Sequence, residues 1–121
     1  MTELFHLADR SEWLAAAAAG EYRISTRGVT LAEQGFIHCS LRQQLRSVAQ
    51  RYYADADDLV LLVIDSDRVA SPIRYESPPD SLETYPHVYG PLSADAVTAV
   101  VPVGRDQEGR PILPDYWTRD C

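Results

Sequence analysis

Short apolar runs alternate with amphipathic stretches along this chain of 121 residues. "ELFHLA" near the N-terminus predicts a strand, and "LVLLVI" over residues 59–64 predicts a buried central strand because it is short and rich in β-branched residues. Further strands are expected in "EYRIS", "FIHC", "IRYE", "HVYG" and "AVTAVVPV". The segment 104–121 is expected to be an irregular tail because Gly and Pro punctuate it.

Two main helices are predicted in the N-terminal half of the chain. The first runs through "WLAAAAA", with Asp9 and Glu12 as a start resembling a capping box and Gly20 as its stop. The second covers "LRQQLRSVAQRYY", whose apolar residues recur at helical spacing. Ser40 and Gln43 match a capping box at its start, which predicts Ser40 as the N-cap.

A third, shorter helical turn is predicted where Thr30 and Glu33 can form a capping box that ends at Gly35. Helices therefore cluster early and strands late. That order predicts an α+β fold, a single domain over residues 1–121, built around a mixed or antiparallel sheet.

Charge and composition exclude several classes of function. The net charge is −7 and all eleven basic residues are arginine, so general nucleic-acid binding is not expected and lysine chemistry is excluded. No apolar stretch has spanning length and no signal peptide is visible, which predicts a cytoplasmic protein with no membrane partner. With Cys121 at the last position and Cys39 in a predicted strand, a disulfide framework is not expected.

The chemistry-bearing residues that remain are three histidines, His6, His38 and His87, each in or at the edge of a predicted strand. Strand alternation places His38 and Cys39 on opposite sides, so Cys39 is expected in the core if His38 faces a cleft. A single strand histidine is more often a half-buried structural residue than a catalyst. Three histidines can also hold zinc, although their separations of 32 and 49 residues match no local ligand motif.

Acidic and basic side chains add candidate contacts for a ligand. Glu76 and Glu83 flank a proline-rich loop and can orient a ribose or act as a base. Arg23, Arg27 and Arg74 can meet a phosphate. For each of them a solvated surface position is the simpler interpretation.

Five motifs together resemble the bacterial family called domain of unknown function 952. They are "LFHLADRSEWLAAAAAGEYR", "GFIHCSLRQQLRSVAQRYY", "DDLVLLVIDSDRV", "IRYE" and "YPHVYGPLSADAV". The resemblance spans residues 4–102, nearly the whole chain, and the blocks "GFIHCS" and "PHVYGPL" are its most specific parts.

That family in turn resembles the ADP-ribosyltransferase-like fold, a split-sheet α+β architecture that holds NAD in a cleft. His6 matches the histidine of the first motif in the histidine–tyrosine–glutamate branch, and the tyrosine position of the second motif falls on Ile37 or His38. Where the third motif has its glutamate, this chain offers His87, while Glu83 lies four residues too early. A protonated histidine there would oppose an oxocarbenium-like centre, whereas the glutamate of the branch stabilises it.

The resemblance implies a protein that binds NAD or a related small nucleotide, as an ADP-ribosyltransferase-like or NAD-dependent phosphotransferase-like enzyme. A nucleotide-sensing module without turnover and a three-histidine metal-dependent hydrolase are the alternatives. Strand alternation and the family pattern together place His6, His38 and His87 on one concave surface, as catalytic candidates. The candidate cofactor contacts are Tyr22, Arg23, Ser40 and Tyr89.

Overall fold

Short antiparallel strands make up most of the computed structural model, which describes residues 2–53, 58–77, 79, 82–108 and 111–112. The strands in these ranges are β1 Glu3–Asp9, β2 Glu21–Tyr22, β3 Ile24–Thr26, β4 Val29–Thr30, β5 Ile37–His38, β6 Leu59–Asp65, β7 Ile73–Glu76, β8 Tyr85–Val88, β9 Leu92–Ser93, β10 Val97–Pro102, β11 Gly104–Arg105 and β12 Pro111–Ile112. The α-helices are α1 Arg10–Ala19, α2 Leu31–Gln34 and α3 Leu45–Tyr52. Short 3-10 turns lie at Arg42–Gln44, Ser66–Arg68 and Ala94–Ala96.

The predicted central strand is confirmed: β6 lies between β1 and β10 in a three-stranded antiparallel sheet. All seven residues of β6 are buried, because both faces of this sheet are covered. On one face Leu62 and Ile64 pack in the same cluster as Trp13 of α1. On the other face Leu61 packs in a cluster with Leu45 of α3. The two main helices therefore lie on opposite faces of the sheet.

A second three-stranded antiparallel sheet, in the order β5-β8-β7, carries the candidate chemistry. It connects to the first sheet through Ser40, whose backbone N–H and C=O both bond the backbone of Phe5 at 2.8 Å. Its neighbour Cys39 donates its N–H to the carbonyl of Pro86 at 2.9 Å. The predicted α+β class with antiparallel pairing is confirmed, and the described pairings divide among several small sheets.

The bridge through Ser40 also corrects the predicted start of the second helix. Because its backbone pairs with β1, Ser40 is not the N-cap. Leu41 precedes the first turn instead, and its N–H donates to Oε1 of Gln44 at 2.9 Å. The helix also begins as a 3-10 turn before α3. The pairing of Ser40 with β1 thus moves the start of the helical segment to one residue later than predicted.

The other helix ends agree with the sequence in part. The capping box of Thr30 and Glu33 is confirmed, and Gly35 ends the turn with a φ of 93°. Gly20 ends α1 in the same left-handed conformation, which favours glycine. Asp9 is the N-cap of α1, but its side chain makes no capping hydrogen bond, so the predicted box there is wrong.

The C-terminal part of the described chain is more regular than predicted. β11 pairs with β12, so the tail expected to be irregular includes a two-stranded ladder. Residues 113–121, including the other cysteine, lie outside the described residues. None of the helices in the described ranges is long and apolar enough to cross a membrane.

Candidate functional site

A cavity of about 480 Å³ opens beside the second sheet. Its walls come from β3, the end of α2, β5, the end of β7 and β8, together with the residues that flank β5 and β7. The lining residues are Ser25, Thr26, Gln34, Phe36, His38, Glu76, Ser77, Pro79 and His87. This volume lies in the range of about 300–1,000 Å³ that is typical of small-molecule sites.

The strand register brings the polar side chains of the cavity together. His38 of β5 is the antiparallel partner of His87 in the central strand β8, and Arg74 of β7 is its partner on the other side. Directly paired residues share a face of the sheet, and so do residues two apart along one strand. His38, His87, Arg74 and Glu76 therefore share one face.

Glu76 orients the ring of His87. Nδ1 of His87 lies 2.8 Å from Oε1 of Glu76, and the hydroxyl of Tyr89 donates to the same oxygen at 2.5 Å. The hydrogen bonds from Tyr89 and from His87 lower the pKa of the Glu76 carboxyl. Since an ionised carboxylate only accepts, Nδ1 of His87 carries the proton, and in the neutral ring Nε2 is an acceptor.

Two buried polar atoms of the cavity lack a hydrogen-bond partner among the described residues. They are Nε2 of His87 and Oγ of Ser25. His87 is 4% exposed and Ser25 is fully buried. Because an unpaired buried polar group costs free energy, most such atoms in folded proteins are paired. These two atoms are suited to bind a ligand that enters the cavity.

An aromatic side chain fixes the ring of His87 from one face. Phe36 stacks on it with ring centroids 3.9 Å apart and an interplanar angle of 15°. Tyr89 lies against Phe36 at 5.4 Å. Between the carboxylate at its edge and the phenyl ring on its face, the imidazole is held in one orientation before any ligand binds.

His38 adds an uncharged imidazole to the same wall. Its ring centroid lies 5.4 Å from that of His87 and 5.1 Å from that of Tyr85. Burial, and then the neighbouring His6 and His87, lower the pKa of His38 to about 4. His38 is therefore neutral at pH 7 and contributes no positive charge.

His6 lies behind the cavity wall and does not line it. Its Nδ1 donates to the backbone carbonyl of His38 at 2.7 Å, and its Nε2 accepts from the hydroxyl of Tyr22 at 2.9 Å. Burial lowers the pKa of His6 to about 4. Of the three histidines expected on one concave surface, the structure places only His38 and His87 there, because both nitrogens of His6 are used to join β1, β2 and β5.

The remaining predicted contacts also lie outside the cavity lining. Tyr22 is buried against His6, and Ser40 is buried in the bridge to β1. Arg23 is exposed and forms an ion pair with Glu21 at 2.7 Å. Tyr89 approaches the site through its hydrogen bond to Glu76.

Two further expectations concern the core and metals. Cys39 is fully buried with a free thiol, as strand alternation predicted, and burial raises its pKa to about 12. The described residues contain no group of three His, Cys, Asp or Glu side chains placed to hold a metal ion. With its two ring nitrogens bonded inside the protein, His6 cannot complete a three-histidine centre in this conformation.

Sequence reasoning missed Ser25 and left the position of Glu76 open. Ser25 lies between two ordinary strand residues, and no local pattern marks it. Glu76 was one of two candidate carboxylates, and the structure puts it in the cavity, whereas Glu83 accepts a hydrogen bond from Tyr85 at 3.1 Å. A prediction that "IRYE" pairs with "PHV" in an antiparallel sheet would have placed Glu76 near His87.

The fold and this cavity define a small α+β protein with a preformed, partly polar pocket. The chain belongs to the family described as protein of unknown function (DUF952), whose model matches residues 7–100. No curated protein matched the chain.

Solved structures of one bacterial protein are similar to this chain over nearly its whole length. The crystal structure of protein CC0527 from Caulobacter crescentus is 28% identical, with 98% of this chain and 100% of that chain covered and a TM-score of 0.83. A double-methionine variant of that protein gives the same values. Its solution NMR structure is 29% identical, covers 96% and 97% of the two chains, and has a TM-score of 0.78.

Proposed function

We propose that this protein binds NAD or a related nucleotide in the cavity beside the second sheet and acts as an ADP-ribosyltransferase-like enzyme of the cytoplasm. The observation that supports it most is the pair of His87 and Glu76, in which a carboxylate orients a buried imidazole whose Nε2 has no partner among the described residues. A ribose hydroxyl is a donor that such an atom can bind. Ser25 offers a second polar atom to the same ligand.

Glu76 supplies the carboxylate that the transferase resemblance requires. NAD would supply the glycosidic bond to nicotinamide: as that bond breaks and nicotinamide leaves, positive charge develops on the ribose, and an acceptor nucleophile or water forms the new bond at the same carbon. Glu76 remains ionised because Tyr89 and His87 donate to it, so its negative charge is available in the cavity. In this arrangement His87 binds and orients the ribose. Glu76 takes the role of the transferase glutamate, because a histidine, His87, stands at the position where the third motif has that glutamate.

The cavity offers less to the two other enzymatic possibilities. A phosphotransferase-like reaction requires cationic side chains around a phosphate, and no arginine is among the described lining residues. A metal-dependent hydrolase requires a ligand cluster, which the described residues lack. A binding module without turnover uses the same contacts and differs only in the chemical step.

Calorimetric titration of the full chain with NAD and ADP-ribose tests the proposal. His87→Phe is the informative variant because a phenyl ring can keep the stack on Phe36 while Nε2 is lost, together with the Nδ1 bond to Glu76. We expect wild type to bind NAD, and the variant to bind it about five-fold more weakly, as one lost hydrogen bond of about 1 kcal/mol implies. Unchanged far-ultraviolet circular dichroism of the variant is the control for its fold.

Release of nicotinamide, followed by chromatography, separates an enzyme from a binding module. Glu76→Gln keeps the size of the side chain and removes its charge, so we expect it to abolish release while the protein remains folded. Binding without release by wild type would identify a sensing module. No binding of either ligand by wild type at millimolar concentration would refute the nucleotide proposal.

A further inference from the structure

The described lining of the cavity holds one carboxylate, Glu76, beside two imidazoles and several neutral polar side chains. Hydrogen bonds keep Glu76 ionised, His38 is neutral at pH 7, and Nε2 of His87 has no partner among the described residues. No arginine belongs to the described lining. An anion in this space would face the Glu76 carboxylate at close range, with no arginine in the described lining to bind it, which disfavours its entry.

We infer that the cavity takes the nucleoside end of its ligand, through the ligand's hydrogen-bond donors, and excludes anionic groups, so that the phosphate remains at the mouth. The inference rests on the proposed nucleotide binding and adds the orientation of the ligand and the class of group that is selected. We assign its polar contacts to Nε2 of His87 and Oγ of Ser25, the two buried atoms of the lining that have no partner among the described residues.

Arg74 is the cation placed to meet the excluded phosphate. It shares a strand face with Glu76, and its guanidinium carbon lies 5.0 Å from the ring centre of Tyr89, whose hydroxyl donates to Glu76. Arg74 is exposed and is not part of the cavity lining. A phosphate bound there would leave the nucleoside directed inward.

Ser25 gives a test that separates ligand binding from a structural role. A hydroxyl that only supports the fold is paired, and its removal lowers stability. Oγ of Ser25 is buried without a partner among the described residues, so Ser25→Ala is expected to leave the melting temperature unchanged or to raise it. The same variant is expected to weaken ligand binding, because it removes one of the two contacts.

The experiment is calorimetric titration of the full chain with adenosine, nicotinamide riboside, their 5′-monophosphates, NAD and inorganic pyrophosphate. We expect adenosine to bind with little dependence on salt, and the cationic nicotinamide riboside to bind more weakly as salt screens its attraction to Glu76. Pyrophosphate should compete with neither nucleoside. Ser25→Ala should weaken the binding of nucleosides and of nucleotides by the same factor, about five-fold. Arg74→Gln should weaken the binding of the phosphorylated ligands only, by a similar factor.

Arg23→Gln is the matched control, since it removes the same charge from another exposed arginine, which the sequence also offered as a phosphate contact. It should change no affinity. Competition by pyrophosphate against nucleosides, or unchanged nucleoside binding by Ser25→Ala, overturns the inference. If nucleosides bind and NAD does not, the inference about the cavity stands and the NAD proposal is refuted. If no ligand of the panel binds, both are overturned.

Discussion

Replacing His6 by leucine tests whether this histidine supports the fold and not the ligand. His6 is 3% exposed, and its ring joins the carbonyl of His38 to the hydroxyl of Tyr22. His6→Leu leaves both groups buried without that partner. At about 1–3 kcal/mol for each of the two groups that loses this partner, the loss of unfolding free energy near pH 7 is about 2–6 kcal/mol.

The pH dependence of stability gives a second, independent quantity. Burial lowers the pKa of His6 to about 4 in the folded protein, from 6.5 in the unfolded chain. Between these values the unfolded chain binds more protons, so stability falls as the pH decreases through this window. From about pH 7.5 to about pH 5 the loss attributable to His6 is about 2 kcal/mol. His38 titrates in the same direction, so some dependence remains in the variant.

Urea denaturation of wild type and His6→Leu at several pH values, followed by circular dichroism, measures both quantities. Tyr22→Phe completes a double-mutant cycle: in the His6→Leu background it removes the unpaired hydroxyl and should recover about 1–3 kcal/mol. Two results would contradict the structural role of His6. One is a pH slope in the variant equal to that of wild type, and the other is strict additivity of the two substitutions.

Two further predictions concern the local structure. Thr30→Ala should lower the unfolding free energy by about 1 kcal/mol in urea denaturation because it removes the confirmed N-cap, and an unchanged midpoint would show that the turn does not depend on it. Cys39 should resist iodoacetamide in the native protein at about pH 8 and react once urea is added, since burial both shields the thiol and raises its pKa to about 12. Peptide mass spectrometry locates the label, and rapid native labelling of Cys39 would contradict its burial.

Local periodicity determined much of the fold. The seven-residue run of β6 is buried on both faces, and "LVLLVI" indicated this because no polar residue interrupts it. Alternation along "FIHC" separated Cys39 from His38 without any knowledge of the neighbouring strands. The capping box at Thr30 was equally visible, since its hydrogen bonds join residues only three apart.

Long-range pairing decided the site. His87 is eleven residues from Glu76 along the chain, and only the antiparallel register of β7 and β8 brings the imidazole to the carboxylate. His6 and His38 both follow apolar residues in a predicted strand, yet both ring nitrogens of His6 are hydrogen-bonded to the neighbouring β2 and β5. Ser25 lines the cavity because β3 packs beside β5. A residue's own sequence neighbourhood sets its strand face, whereas burial and hydrogen-bond partners depend on which strands the core places beside it.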